Sequence, residues 1–108
     1  MNDSIKSVTD TTFGGEVLTA KEPVLVDFWA TWCTPCKIMA PVVADSAVSY
    51  AGRLKVVKID VDENPAAASR YRVRSIPTLV LFKGGAPVAT QVGTVSRAQL
   101  ASFVEPHL

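Results

Sequence analysis

Val24 to Ala30 is apolar at consecutive positions, so a strand built from it must be covered on both faces, and only Asp27 interrupts the run. That pattern belongs to the central strand of a sheet with helices on each side. Directly after it, Trp32-Cys33-Thr34-Pro35-Cys36-Lys37 carries the chain's only two cysteines, three positions apart. From about Cys33 to Tyr50, apolar side chains at Met39, Val42, Val43, Ala47 and Tyr50 follow a helical period. Both cysteines then fall in the first turn, where positions i and i+3 share a face and two sulfurs can close a disulfide with little backbone movement. Pro41 is expected to kink this helix, because its ring clashes with the carbonyl of Lys37.

The remaining elements follow from the same patterns. Ile5 to Val8 reads as a short strand, and Asp10 as the N-cap of a weak helix with Phe13, Val17 and Leu18 on its apolar stripe. Leu54 to Val61 is a second apolar strand, followed by Asn64-Pro65, an N-cap and first helical position for a helix reaching about Tyr71. Thr78 to Phe82 and Val88 to Val92 flank Lys83-Gly84-Gly85-Ala86-Pro87, an antiparallel hairpin with glycines free to take positive φ. Ser96 and Gln99 match a capping box, with Leu100, Phe103 and Val104 as the buried stripe of a last helix. The expected order is βαβαβαββα, an α/β fold with parallel strands early, antiparallel strands late and helices on both faces.

A chain of 108 residues with no repeat or linker suits one domain, 1–108. Eleven basic against ten acidic residues leave no basic excess of the kind nucleic-acid binders carry. Met1 to Lys6 has no apolar stretch suited to a signal peptide, and no run approaches the roughly 18 apolar residues of a membrane span. The expectation is a soluble cytoplasmic monomer that binds neither nucleic acid nor membrane.

One close cysteine pair is a poor staple. A four-residue loop restrains the unfolded chain by roughly 2 kcal/mol, against about 3 for a 15-residue loop. Redox chemistry accounts for the pair better than stability does. The other readings are a buried pair of small residues or half of a zinc site. A structural zinc site wants four ligands, and His107, expected to be solvent-exposed, is the only histidine available to add a nitrogen.

Disulfide exchange needs a thiolate, whereas a free thiol titrates near 8.5. At a helix N-terminus the unpaired amides and the dipole contribute about 0.3 to 2 kcal/mol, which lowers a thiol pKa by roughly 0.2 to 1.5. Cys33 is therefore read as the attacking residue and Cys36, one turn inward and less exposed, as the resolving one. No histidine in a motif supplies a general base. Asp27 is the candidate, since a carboxyl in a strand apolar on both faces is desolvated and titrates toward neutrality; the alternative is an Asp at a wet strand end. The Ile76-Pro77 bond is trans by default, only about 5 to 6% of such bonds being cis in folded proteins.

Several blocks in order resemble the thioredoxin family: Val26-Asp27-Phe28-Trp29-Ala30-Thr31-Trp32-Cys33-Thr34-Pro35-Cys36-Lys37, then Pro41, Lys58-Ile59-Asp60-Val61-Asp62, Ser75-Ile76-Pro77-Thr78 and Phe82-Lys83-Gly84-Gly85. The resemblance implies the thioredoxin fold, a central mixed five-stranded sheet, and reduction of disulfides in other proteins. It implies no bound cofactor, and electrons supplied by an NADPH-dependent flavoenzyme, thioredoxin reductase. It assigns Asp27 to deprotonation of Cys36 through water, with Lys58 and Trp29 modulating that step. It makes Pro77 cis, and lets the Ile76 backbone pair with an extended substrate segment. Trp32, Thr34, Pro35, Ile76, Pro77 and Gly93 become the substrate-binding surface, joined by Val61 and Val92, for which ordinary strand packing is the other reading.

Thr34 departs from the family pattern, which has glycine there. A β-branched residue stiffens the turn, and its hydroxyl is placed to donate to the Cys33 sulfur, which makes the disulfide more oxidising. An oxidase or isomerase thus stays open as an alternative, as does a noncatalytic binding subunit that uses the same surface.

Overall fold

The computed structural model describes residues 5–108. Five strands form one sheet in the order β1-β3-β2-β4-β5, with β1 at Lys6–Ser7, β2 at Val24–Trp29, β3 at Lys55–Asp60, β4 at Thr78–Lys83 and β5 at Ala86–Val92. β1, β3 and β2 run parallel, whereas β4 is antiparallel to β2 and β5 to β4. This is the mixed sheet the pattern calls for, and the doubly apolar β2 lies at its centre.

Alternation along β2 divides the core. Val24, Val26 and Phe28 pack with Phe13, Val17, Ala67 and Ala68 on one face. Leu25 packs with Met39, Val43, Leu100 and Val104 on the other. The first group covers the sheet with a short π-helical segment, Gly14–Leu18, and with α2, Pro65–Arg70; the second uses α1, Thr34–Ser49, and α3, Arg97–Val104. Asp27 therefore points to the α1 side, in register with Lys58 of β3 and Leu79 of β4.

α1 runs through Pro41 without interruption. The missing N–H removes one hydrogen bond, while Met39, Val43 and Ala47 on its buried face hold the helix to the sheet. The β4–β5 turn is tighter than the five-residue turn read from composition. Gly84 and Gly85 take φ of 62° and 82°, the two positive values of a two-residue hairpin, so Ala86 and Pro87 already belong to β5. A register shift beside Leu81 and Phe82 absorbs the extra residue on β5.

Two capping assignments are exchanged relative to the sequence reading. Asp10 does not cap its own helix; its carboxylate accepts from Ala66 N and Ala67 N of α2 at 3.1 and 2.9 Å. Asn64, expected to cap α2, instead accepts from Asp10 N through Oδ1 at 2.9 Å. Thr9 opens the helical turn before Gly14, its Oγ1 accepting from Thr12 N at 3.2 Å. Caps depend on which backbone amides a side chain reaches in space, and here a residue 56 positions away reaches them better than the local one. The capping box of α3 is present as read, Ser96 Oγ accepting from Gln99 N and Gln99 Oε1 from Ser96 N. His107, expected to be solvent-exposed, is half-buried in a terminal turn, Glu105–His107.

Candidate active site

β2 delivers the chain to Ala30, and a turn closed by Cys33 N donating to Ala30 O at 3.2 Å sets up α1. Cys33 is the N-cap, with Pro35 in the first turn where its missing N–H costs little. Cys33 and Cys36 are joined by a disulfide, with Cα atoms 5.3 Å apart. The Cys33 sulfur also accepts from the Cys36 amide at 3.2 Å. An amide aimed at this sulfur is the interaction that stabilises a thiolate there once the bond is reduced.

Exposure does not rank the cysteines as the sequence suggests. Cys33 is 2% exposed and Cys36 4%, so both are buried in the disulfide form. Their surroundings separate them instead. Cys33 lines an open groove of about 590 Å³ with Trp32, Thr34, Pro35, Val61, Val73, Arg74, Ser75 and Ile76. Cys36 lines an inner cavity of about 100 Å³ with Asp27, Trp29, Lys37, Ala40 and Lys58. One sulfur borders a surface large enough for a peptide segment, and the other borders a small, mostly apolar cavity into which the chain brings Asp27, Lys37 and Lys58.

Asp27 is 7% exposed, and burial pushes its carboxyl up from an ordinary 3.8 to about 7, against the opposing pull of Lys58. Its Oδ1 has no protein hydrogen-bond partner among the described residues. No ion pair within 4 Å joins it to Lys58 among those residues; the Lys58 ammonium lies over the Trp29 ring, 5.1 Å from its centroid. The cavity exceeds the space one water needs, and its carboxyl and ammonium groups are suitable partners for one.

Around the groove, Val61 and Ile76 pack against Ala30 and the two cysteines. The Ile76-Pro77 bond is cis, against the default and in line with the resemblance. Pro77 is buried, and its carbonyl accepts from Gly93 N at 2.9 Å, where a φ of 91° suits glycine. Trp32 is 65% exposed, its indole N–H donating to Asp62 Oδ2 at 2.7 Å. Thr34 and Pro35 are exposed in the first turn. The Thr34 hydroxyl makes no hydrogen bond to the Cys33 sulfur in the disulfide form, where the sulfur is served by the Cys36 amide.

Trp32, Cys33, Thr34, Pro35, Val61 and Ile76 thus converge on one groove, whereas Pro77, Val92 and Gly93 are not among its lining residues. Val92 is exposed on β5 opposite Thr78. Sequence reasoning missed Lys37 and Ala40 at the inner cavity and Val73, Arg74 and Ser75 at the groove. Ala40 follows Cys36 by four positions, a helical spacing that puts both on one face; no such spacing singles out Lys37. No group of three or more His, Cys, Asp or Glu side chains able to hold a metal occurs among the described residues.

The thioredoxin family model matches residues 4–106. The chain is 55% identical over 101 residues to thioredoxin 1 of Nostoc sp., covering 94% of each chain. It is 50% identical over 108 residues to the thioredoxin of Acidithiobacillus ferridurans, covering 100% of both, and 53% identical over 106 residues to that of Allochromatium vinosum, covering 98% and 99%. With a redox-type disulfide at the head of α1 and likeness along nearly its whole length, the chain belongs to the thioredoxin family and is a protein-disulfide oxidoreductase that works by exchange through Cys33 and Cys36.

Proposed function

We propose that the chain acts as a single-domain, monomeric cytoplasmic reductant in which Cys33 attacks and Cys36 resolves. The Cys33 thiolate attacks one sulfur of a substrate disulfide, forming a mixed disulfide and releasing the other substrate sulfur as a thiolate that takes a proton. Cys36, deprotonated by Asp27 through water, then attacks the Cys33 sulfur and expels the second substrate thiol. Two electrons have moved to the substrate, and the Cys33–Cys36 disulfide remains. An NADPH-dependent flavoenzyme, thioredoxin reductase, restores the dithiol by accepting hydride and passing two electrons back.

Asp27 is a buried acid with a pKa of about 7, suited to accept a proton near neutrality and to return it. Lys58 and Trp29 tune it, the ammonium favouring the ionised carboxylate. Trp32, Thr34, Pro35, Val61 and Ile76 hold an extended substrate segment against Cys33, and Pro77, Gly93 and Val92 shape the adjoining edge. The observation that carries this reading is the division of the disulfide between an open apolar groove on the Cys33 side and the Asp27 cavity on the Cys36 side.

An insulin disulfide-reduction assay with NADPH and a purified thioredoxin reductase tests it. NADPH consumption that depends on this protein is expected, and is lost when both cysteines become serine. Failure to reduce insulin, even when the protein is first reduced chemically, contradicts the reading.

A further inference from the structure

Arg74 is the one charged side chain among the residues lining the groove at Cys33. It is exposed, and it makes no ion pair or hydrogen bond through its side chain among the described residues. Asp62, beside Trp32, is not part of the lining and already accepts from the Trp32 indole. Arg74 also stands two residues before Ile76, which packs against the cysteines. Val73 and Ile76 line the same groove with apolar surface.

We propose that Arg74 is a specificity-determining residue that favours substrates carrying an acidic side chain within two residues of the attacked cysteine. This inference rests on the groove being the place where substrate binds. A guanidinium offers a planar fork that matches a carboxylate with two parallel hydrogen bonds, and it repels a lysine or arginine at the same place. The ion pair lies at the groove's rim, so it affects encounter and orientation and leaves the exchange chemistry alone. Exposed pairs of this kind change a binding constant by about two- to fivefold.

The test uses three peptides with one intramolecular disulfide each, differing only in Glu, Gln or Lys beside the attacked cysteine. Second-order rates of reduction by the pre-reduced protein are measured by stopped flow at low and at high salt. The Glu peptide is expected to react about two- to fivefold faster than the Lys peptide at low salt, and the difference should shrink as salt screens the pair. Arg74→Gln should erase the preference and Arg74→Glu should invert it.

Equal rates for the three peptides overturn the inference while leaving the reductase reading intact. So does a preference that survives in Arg74→Gln. Reduction of none of the three overturns the reductase reading, and the role of Arg74 with it.

Discussion

Asp27 and Cys36 line the same cavity of about 100 Å³, a buried acid and a buried sulfur with no direct hydrogen bond between them. The carboxyl comes from the centre of the sheet and the sulfur from the first turn of α1, so their meeting is a product of the fold. Asp27 titrates at about 7 because burial disfavours its charge more than Lys58 favours it. The proton transfer proposed above, through water between these groups, would link the redox step to pH.

Stability should depend on pH through Asp27. Its folded pKa of about 7 lies above the ordinary 3.8, so the folded state holds a proton that the unfolded chain releases. The contribution is fully present below about pH 4 and is lost as pH rises toward about 7, amounting to roughly 4 kcal/mol at most. Urea unfolding of the oxidised protein should show this decline, and Asp27→Asn should flatten it. An unchanged slope in the variant would place the titration elsewhere.

Lys58→Met removes the charge that favours ionised Asp27 while retaining a long side chain over Trp29. The Asp27 pKa should rise further, and the acid limb of the turnover profile should move to higher pH. The Michaelis constant for a protein substrate should stay nearly constant. A changed Michaelis constant with an unmoved pH limb would instead assign Lys58 to substrate binding.

Thr34→Gly should make the reduction potential more negative. In the reduced protein the Thr34 hydroxyl can donate to the Cys33 thiolate, a hydrogen bond to a charged group worth about 1.5 to 3 kcal/mol, or roughly 30 to 65 mV. Equilibration with a glutathione buffer reads this directly. A potential that stays put or becomes less negative rules out a role for the hydroxyl.

Asp10→Ala should lower stability by about 1 to 2 kcal/mol, because it leaves two amides of α2 uncapped. Disulfide reduction should be retained, since Asp10 is not among the residues lining the groove or the inner cavity. Thermal unfolding together with an insulin assay checks both halves. Loss of activity in a variant that remains folded would tie α2 to the redox site.

The sheet and the redox pair were legible because each rests on a local pattern. Apolar residues on both faces of Val24 to Ala30 imply a covered central strand, and two cysteines at helical spacing imply a closable disulfide. Asp27 was legible as a buried acid because it interrupts that strand. The cis bond at Pro77 was not, since residues alone favour trans; the family resemblance supplied it. The exchange of caps between Asp10 and Asn64 was hidden because it joins residues far apart in the chain. Arg74 escaped notice for the same reason, as a loop arginine acquires a site only when its loop docks beside Cys33. The relative exposure of the cysteines was misjudged because the turn around the disulfide shields both sulfurs.

The most direct test of the account is to identify the sulfur that attacks first. A reduced Cys36→Ser variant mixed with a disulfide substrate should accumulate a one-to-one covalent adduct through Cys33, visible by intact-mass spectrometry and released by dithiothreitol. Cys33→Ser should form no such adduct on the same timescale. An adduct through Cys36 in Cys33→Ser, formed as fast as the one through Cys33, would contradict the division of roles between the groove and the inner cavity.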